Sequence, residues 1–121
     1  ATEGDAFCRS LFASAGRHLG SMARTVSPHI RGAGDESADI HGLAIVAVGS
    51  MWKSWDLLRD SFLAAATARH PTAGTSLRSF KLLRLTTTSA VGAAWKAAEV
   101  AGVALPVDFA ANVSVLYEHS A

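Results

Sequence analysis

The chain has 121 residues, half of them hydrophobic, and a formal net charge of +1. That length suffices for one small domain with its own core, and that composition excludes a disordered segment. Lys and Arg are scattered, so no basic stripe marks a nucleic-acid surface, and the longest strongly apolar run, Leu43 to Val48, is far too short to span a bilayer.

The chain opens Ala1-Thr2-Glu3-Gly4 without a Met, the expected look of a processed protein, a proteolytic piece or an excised domain. No charged-then-apolar leader pattern follows. Asp5 to His29 reads as one long helix (5–29). Phe7, Cys8, Leu11, Phe12, Ala15, Leu19, Met22 and Val26 keep helical spacing along one face. Asp5 is in position to cap its start and Pro28 to mark its end. Gly16 and Gly20 each cost such a helix up to ~1 kcal/mol relative to Ala. Two glycines one turn apart point to another backbone packed close by, the alternative being surface glycines that are merely tolerated. Cys8 is the only cysteine, which rules out an intrachain disulfide and favours a reducing compartment, expected to be cytoplasmic.

Residues 31–41, polar and rich in glycine, read as a loop. Leu43 to Val48 is apolar on both faces, as a strand buried on both sides is, and Gly49-Ser50 ends it. Met51 to Ala68 reads as a second helix with Trp52, Trp55, Leu58, Phe62 and Ala66 on one side. His70 to Ser76, with Pro71 and Gly74, is a turn-rich connection. Phe80 to Leu85 is a second strand. Thr86-Thr87-Thr88 leads into a helix over 90–101, which Gly102 stops, and Pro106-Val107-Asp108 opens a last helix over 107–117. The strand–helix–strand unit at 43–85 predicts two parallel neighbours with a crossover helix. Two parallel strands alone make a marginal sheet with open edges. Further strands are therefore expected from upstream in a longer chain or from a partner.

Gly49 and Ser50 stand where a buried strand turns into a helix, at the carboxyl edge where open α/β sheets bind ligands. Such a junction offers free backbone N–H groups and the positive end of a helix dipole. Gly49 allows close approach of the backbone. Ser50 can cap the helix or donate to a ligand, and Ser54, four residues on, falls on the same face of a helix. Capping for Ser50 and plain solvent exposure for Ser54 are the competing roles. Gly49 followed by Lys53-Ser54 is not a P-loop, because the first glycine and the wrapping length are missing. Lys53 reads as a surface lysine more readily than as a phosphate contact, and Trp52 and Trp55 as core more readily than as a stacking platform. His18, His29, His41, His70 and His119 show no metal-ligand spacing among themselves or with Cys8. Asp56, Asp60 and Asp108 are isolated carboxylates.

Val48-Gly49-Ser50-Met51-Trp52-Lys53-Ser54-Trp55 closely resembles the Val-Gly-Ser-x-Trp-Lys-Ser-Trp segment of animal-type N-acetylglucosamine kinases. The similarity continues through Leu57-Leu58 and Phe62-Leu63, then Ser79-Phe80, Leu83, Leu85, Ser89-Ala90 and Gly92-Ala93. It returns at Leu105-Pro106, Asp108 and Ala111-Asn112. Upstream, Gly4-Asp5, Arg9, Phe12, Ala15-Gly16 and Leu19-Gly20 are similar to the family's preceding long helix. Gly92-Ala93 departs from a frequent Gly-Gly, and Thr86-Thr87-Thr88 replaces a more basic run.

The resemblance implies an α/β fold: the C-terminal portion of a ribonuclease H-like (actin-like ATPase) lobe, a parallel βαβ unit plus flanking helices. It implies ATP-dependent phosphorylation of N-acetylglucosamine at its 6-hydroxyl. In this family the serines matching Ser50 and Ser54 contact the adenosine side of ATP, so the implied ATP-binding residues are Gly49, Ser50 and Ser54. The catalytic carboxylate, the phosphate loops and the Mg2+ ligands lie in segments before this one. No catalytic residue is assigned here, and the chain by itself is expected to be inactive. The implied partners are ATP, N-acetylglucosamine, and the upstream part of the same kinase or a complementing chain, with a homodimer as the full-length form. One alternative is a BadF/BcrA-type ATPase of other function, although a cluster-holding member needs more cysteines than Cys8. The other is a non-catalytic α/β interaction module that completes its sheet by oligomerising.

Overall fold

The computed structural model describes residues 5–30, 42–72, 74 and 76–121, so the loop expected over 31–41 lies outside the described residues. In chain order the elements are α1 (Ala6–Ile30), β1 (Leu43–Ala47), a 3-10 turn (Ser50–Ser54), α2 (Trp55–Ala66), β2 (Ser79–Leu85), α3 (Ala90–Val100), a second 3-10 turn (Ala110–Asn112) and β3 (Val113–Ser120). They form an α/β arrangement around one mixed sheet of order β1-β2-β3.

α1 starts where the cap chemistry places it. The Phe7 and Cys8 amides donate to the Asp5 carboxylate at 2.9 and 3.1 Å. The Cys8 amide bond chiefly holds that carboxyl below its ordinary range. At the other end, the helix runs two residues past Pro28. Proline has no N–H to give the Arg24 carbonyl. The buried Ser27 hydroxyl donates to that carbonyl instead, at 3.0 Å.

Gly16 and Gly20 sit against α2. A Cβ on Gly16 would meet the Ser61 hydroxyl and come within 2.6 Å of the Leu58 carbonyl oxygen. One on Gly20 would meet the Phe62 carbonyl oxygen, with Ala65 Cβ at 2.9 Å and the Ala66 amide at 3.0 Å. The contacts climb both helices in the same sense, so α1 and α2 run parallel with their backbones close. Only part of the apolar stripe read from the sequence is used in this packing. Phe12, Ala15, Leu19 and Ala23 pack on the core, whereas Phe7, Leu11, Met22 and Val26 are exposed, Phe7 to 70%. The helix is apolar over a wider arc than one neighbour can cover.

β1 and β2 are parallel neighbours, Leu43 opposite Phe80 through Ala47 opposite Arg84, as the strand–helix–strand pattern predicts. The core lies between α2 and one face of this sheet. Leu58, Phe62, Leu77 and Leu82 are fully buried. Phe62 sits at the centre, edge-on to Trp52, Trp55 and Phe80 at 5.8, 5.6 and 6.0 Å between centroids. Trp52 and Trp55 are each only 8% exposed, which makes them core residues. On the opposite face Ala44, Val46, Leu83, Leu85, Val113 and Val115 form an apolar surface, with Val46 53% and Val115 56% exposed. Lys81 and Glu118 pair across it at 2.6 Å.

The helix expected over 107–117 is not formed. Asp108 does cap a start, accepting from the Ala110 and Ala111 amides at 3.0 and 3.2 Å. Only the single 3-10 turn comes next, and the chain then enters β3. Val113, Val115 and Tyr117 are β-branched or aromatic, residue types that favour strands, and β2 offers them an edge to pair with. β3 pairs antiparallel with β2, and a bulge between Leu82 and Leu83 leaves Leu116 without an opposite residue. Among the described residues the sheet therefore has three strands rather than the expected two.

The helix expected over 51–68 is also split. Its first turn is 3-10 and its α-helical part covers Trp55–Ala66. The helix expected over 90–101 is α3, closed by a Schellman motif: the Gly102 amide donates to Glu99 and the Val103 amide to Ala98, at 3.1 and 2.8 Å, with Gly102 at φ +70°. α3 buries no residue and makes at most marginal contact with the other elements. Its aromatic contact is Trp95 edge-on to Phe109 at 5.4 Å. No described helix is long and apolar enough to cross a membrane.

Candidate functional site

Because β1 and β2 are parallel, their carboxyl ends open onto the same edge of the sheet, and the antiparallel β3 starts from that edge. Three loops meet there: Gly49 with the 3-10 turn after β1, the hydroxyl run Thr86–Ser89 after β2, and the capped turn before β3. The Thr86 amide donates to the Asn112 carbonyl at 2.9 Å and ties the last two together. Thr88 is committed locally, its hydroxyl accepting from the Ala90 amide at 3.3 Å.

Gly49 has φ +109° and ψ 165°, a conformation that only glycine adopts without strain. No atom of the described residues lies within 4 Å of where its Cβ would be. The glycine is thus required by the backbone path, and the space above it is open. Ser50 is exposed and opens the 3-10 turn. Ser54 is half-buried and stands at the start of α2. Neither hydroxyl caps a helix: Gly49 occupies the cap position of the turn, Ser54 that of α2, and neither position has a side-chain capping bond. The capping role weighed for Ser50 is therefore not used.

The shared-face geometry expected of the two serines does need correcting. In an α-helix, residues four apart lie about 40° apart around the axis. In a 3-10 turn they lie about 120° apart. Ser50 and Ser54 open and close the same short 3-10 turn at the sheet edge and do not share one face of a regular helix. The dipole of so short a turn is correspondingly small, so the edge depends on hydroxyls and individual amides.

The other candidates divide simply. Trp52 and Trp55 are spent in the core, and Lys53 is exposed on the turn. His119 stacks on Phe80 at 5.2 Å between rings, and His18 contacts the Ser14 carbonyl through Nδ1 at 2.8 Å. Among the described residues no three His, Cys, Asp or Glu side chains are grouped to hold a metal ion. A shallow depression lined by Trp95, Glu99, Val103, Leu105 and Pro106 runs along α3 and its exit, and its lining includes neither Gly49 nor the serines. No protein-family model matches the chain.

Proposed function

We propose that this chain is the C-terminal portion of a ribonuclease H-like lobe of an ATP-dependent N-acetylglucosamine kinase, and that Gly49, Ser50 and Ser54 contribute to the adenosine side of its ATP site. The observation that carries the reading is where the Gly-Ser-x-Trp-Lys-Ser block falls. It occupies the turn at the carboxyl end of a parallel strand, with Gly49 in a glycine-only conformation under open space and neither serine hydroxyl engaged in capping. The tryptophans of the same block are buried, so the block joins core and edge in one turn.

The packing of α1 also supports a larger lobe. α1 runs parallel to α2 with their backbones in contact. Right-handed crossovers on one face of a sheet step across it in one direction. A strand feeding α1 would then run parallel to β1 on the side where β1 has no neighbour among the described residues. The same open edge favours, as a second reading, a module that completes its sheet with another chain. The kinase is proposed to be cytoplasmic and to draw its Mg2+ ligands, catalytic carboxylate and sugar contacts from outside this segment.

The test is made in the parent kinase. Each hydroxyl bond to a purine nitrogen or a ribose oxygen contributes about 0.5–1.5 kcal/mol net. Replacing both Ser50 and Ser54 with Ala is therefore expected to raise the ATP KM several-fold to tens-fold. kcat at saturating ATP should change much less, since such contacts hold ground and transition states alike. Ser54→Leu should be worse because it fills the space for the base. A folded double variant with an unchanged ATP KM would remove the serines from the site.

A further inference from the structure

On the helix-covered face the sheet presents three cross-strand rows. Leu43, Phe80 and His119 form the first, Ile45, Leu82 and Tyr117 the second, and Ala47, Arg84 and Ser114 the third. The first two rows hold buried Phe80 and Leu82, with His119 stacked on Phe80 and Tyr117 against Trp55. The third row turns polar at the carboxyl edge, beside the Gly49–Ser50 turn.

Arg84 stands at this edge without a carboxylate partner among the described residues, as Lys53 does on the turn itself. Lys81, Lys96 and Arg59 each face a carboxylate within 3.2 Å. Arg84 has no hydrogen-bond or ion-pair partner among the described residues, and neither has the Ser114 hydroxyl beside it. It is an exposed cation in the polar row that closes this face at the carboxyl edge. Strand spacing and rise put Gly49, two residues beyond Ala47, about 8 Å from the Arg84 Cα. An extended arginine covers that span, and its planar fork suits a phosphate oxygen pair.

We infer that Arg84, with Ser114 beside it, binds a phosphate of the nucleotide whose adenosine lies at Gly49–Ser54. This inference rests on the nucleotide reading above and extends it to a second loop-and-strand wall of the same edge. Arg84 is a binding residue here and takes no part in bond making.

The experiment titrates the 121-residue chain with adenosine and with ADP, followed by backbone amide NMR shifts at low and at high salt. Resolved amides confirm that each variant is folded. In the wild type ADP is expected to bind about tenfold or more tighter than adenosine, the size of a charge-assisted contact. That advantage should shrink at high salt, because Arg84 is exposed. Arg84→Ala should bring the ADP-to-adenosine ratio close to one while adenosine affinity is kept, and Arg84→Lys should retain part of it. Shifts at Gly49–Ser54 with an unaltered ratio in Arg84→Ala would overturn the assignment of Arg84 and leave the adenosine site standing. Equal affinity for the two ligands in the wild type would do the same. No shifts at Gly49–Ser54 with either ligand would overturn both.

Discussion

Gly20→Ala is expected to destabilise this chain, although alanine is the better helix former. Helix propensity alone favours the change by roughly 1 kcal/mol. Against that, the new methyl meets α2 backbone atoms, the Phe62 carbonyl oxygen and the Ala66 amide, with Ala65 Cβ at 2.9 Å. Backbone cannot rotate away as the end of a side chain can, so the two helices must separate along their contact. Overpacking of this kind costs about 1–3 kcal/mol, and separation also uncovers the Leu19 and Phe12 contacts to the core. The net loss should be about 1–2 kcal/mol, several degrees in Tm for a domain of this size. Gly16→Ala should lose less if the Ser61 hydroxyl turns aside, but it still faces the Leu58 carbonyl oxygen at 2.6 Å. Gly92→Ala is the control: nothing lies within 4 Å of its new methyl, so helicity rises with no packing cost. Thermal unfolding monitored by tryptophan emission reads the first two. A Tm for Gly20→Ala at or above wild type would show that close approach is not what the glycines provide.

The second large effect is at Phe62. Its ring is 1% exposed and contacts Trp52, Trp55 and Phe80 edge-on. Truncation to Ala removes the apolar burial and leaves a cavity that these three rings are too rigid to close. The loss should be about 3–5 kcal/mol. Domains have about 5–15 kcal/mol in all, so the variant should unfold at a much lower urea concentration with little change in slope. Phe7→Ala, on a ring 70% exposed, should leave the midpoint nearly where it was. A loss below about 1 kcal/mol at Phe62 would mean that the core is not centred there.

How far the sequence could be read depended on whether a signal was local or tertiary. Asp5 at the start of α1 and Gly102 at the end of α3 act through bonds within a few residues, and both were legible. The parallel β1–α2–β2 unit was legible because its apolar runs are short, separate and bounded by glycine or polar turns. β3 was not. The Pro106-Val107-Asp108 signal does start a turn. The conformation of residues 113–120 is then decided by the hydrogen-bonding edge of β2, which lies more than twenty residues earlier in the chain. The 3-10 start of α2 was hidden for a similar reason. Trp52 and Trp55 are both buried, three residues apart, and three residues per turn puts them on the same side. At the candidate site, the break after β1 at Gly49 was legible, whereas the position of Arg84 opposite Ala47 depends on cross-strand register, which no local pattern reveals.

The isolation of α3 has a consequence for how this molecule comes apart. A segment that buries no side chain shares little of the free energy that holds the core, so it can open while the sheet and α2 stay intact. Its amide protons, from Ala94 to Val100, should exchange with solvent by local fraying, faster by orders of magnitude than those of Phe62 and Leu82, which wait for global unfolding. The chain thus has two levels of cooperativity. A single unfolding free energy describes the core around Phe62 and is silent about the helix that leaves the sheet after Leu85.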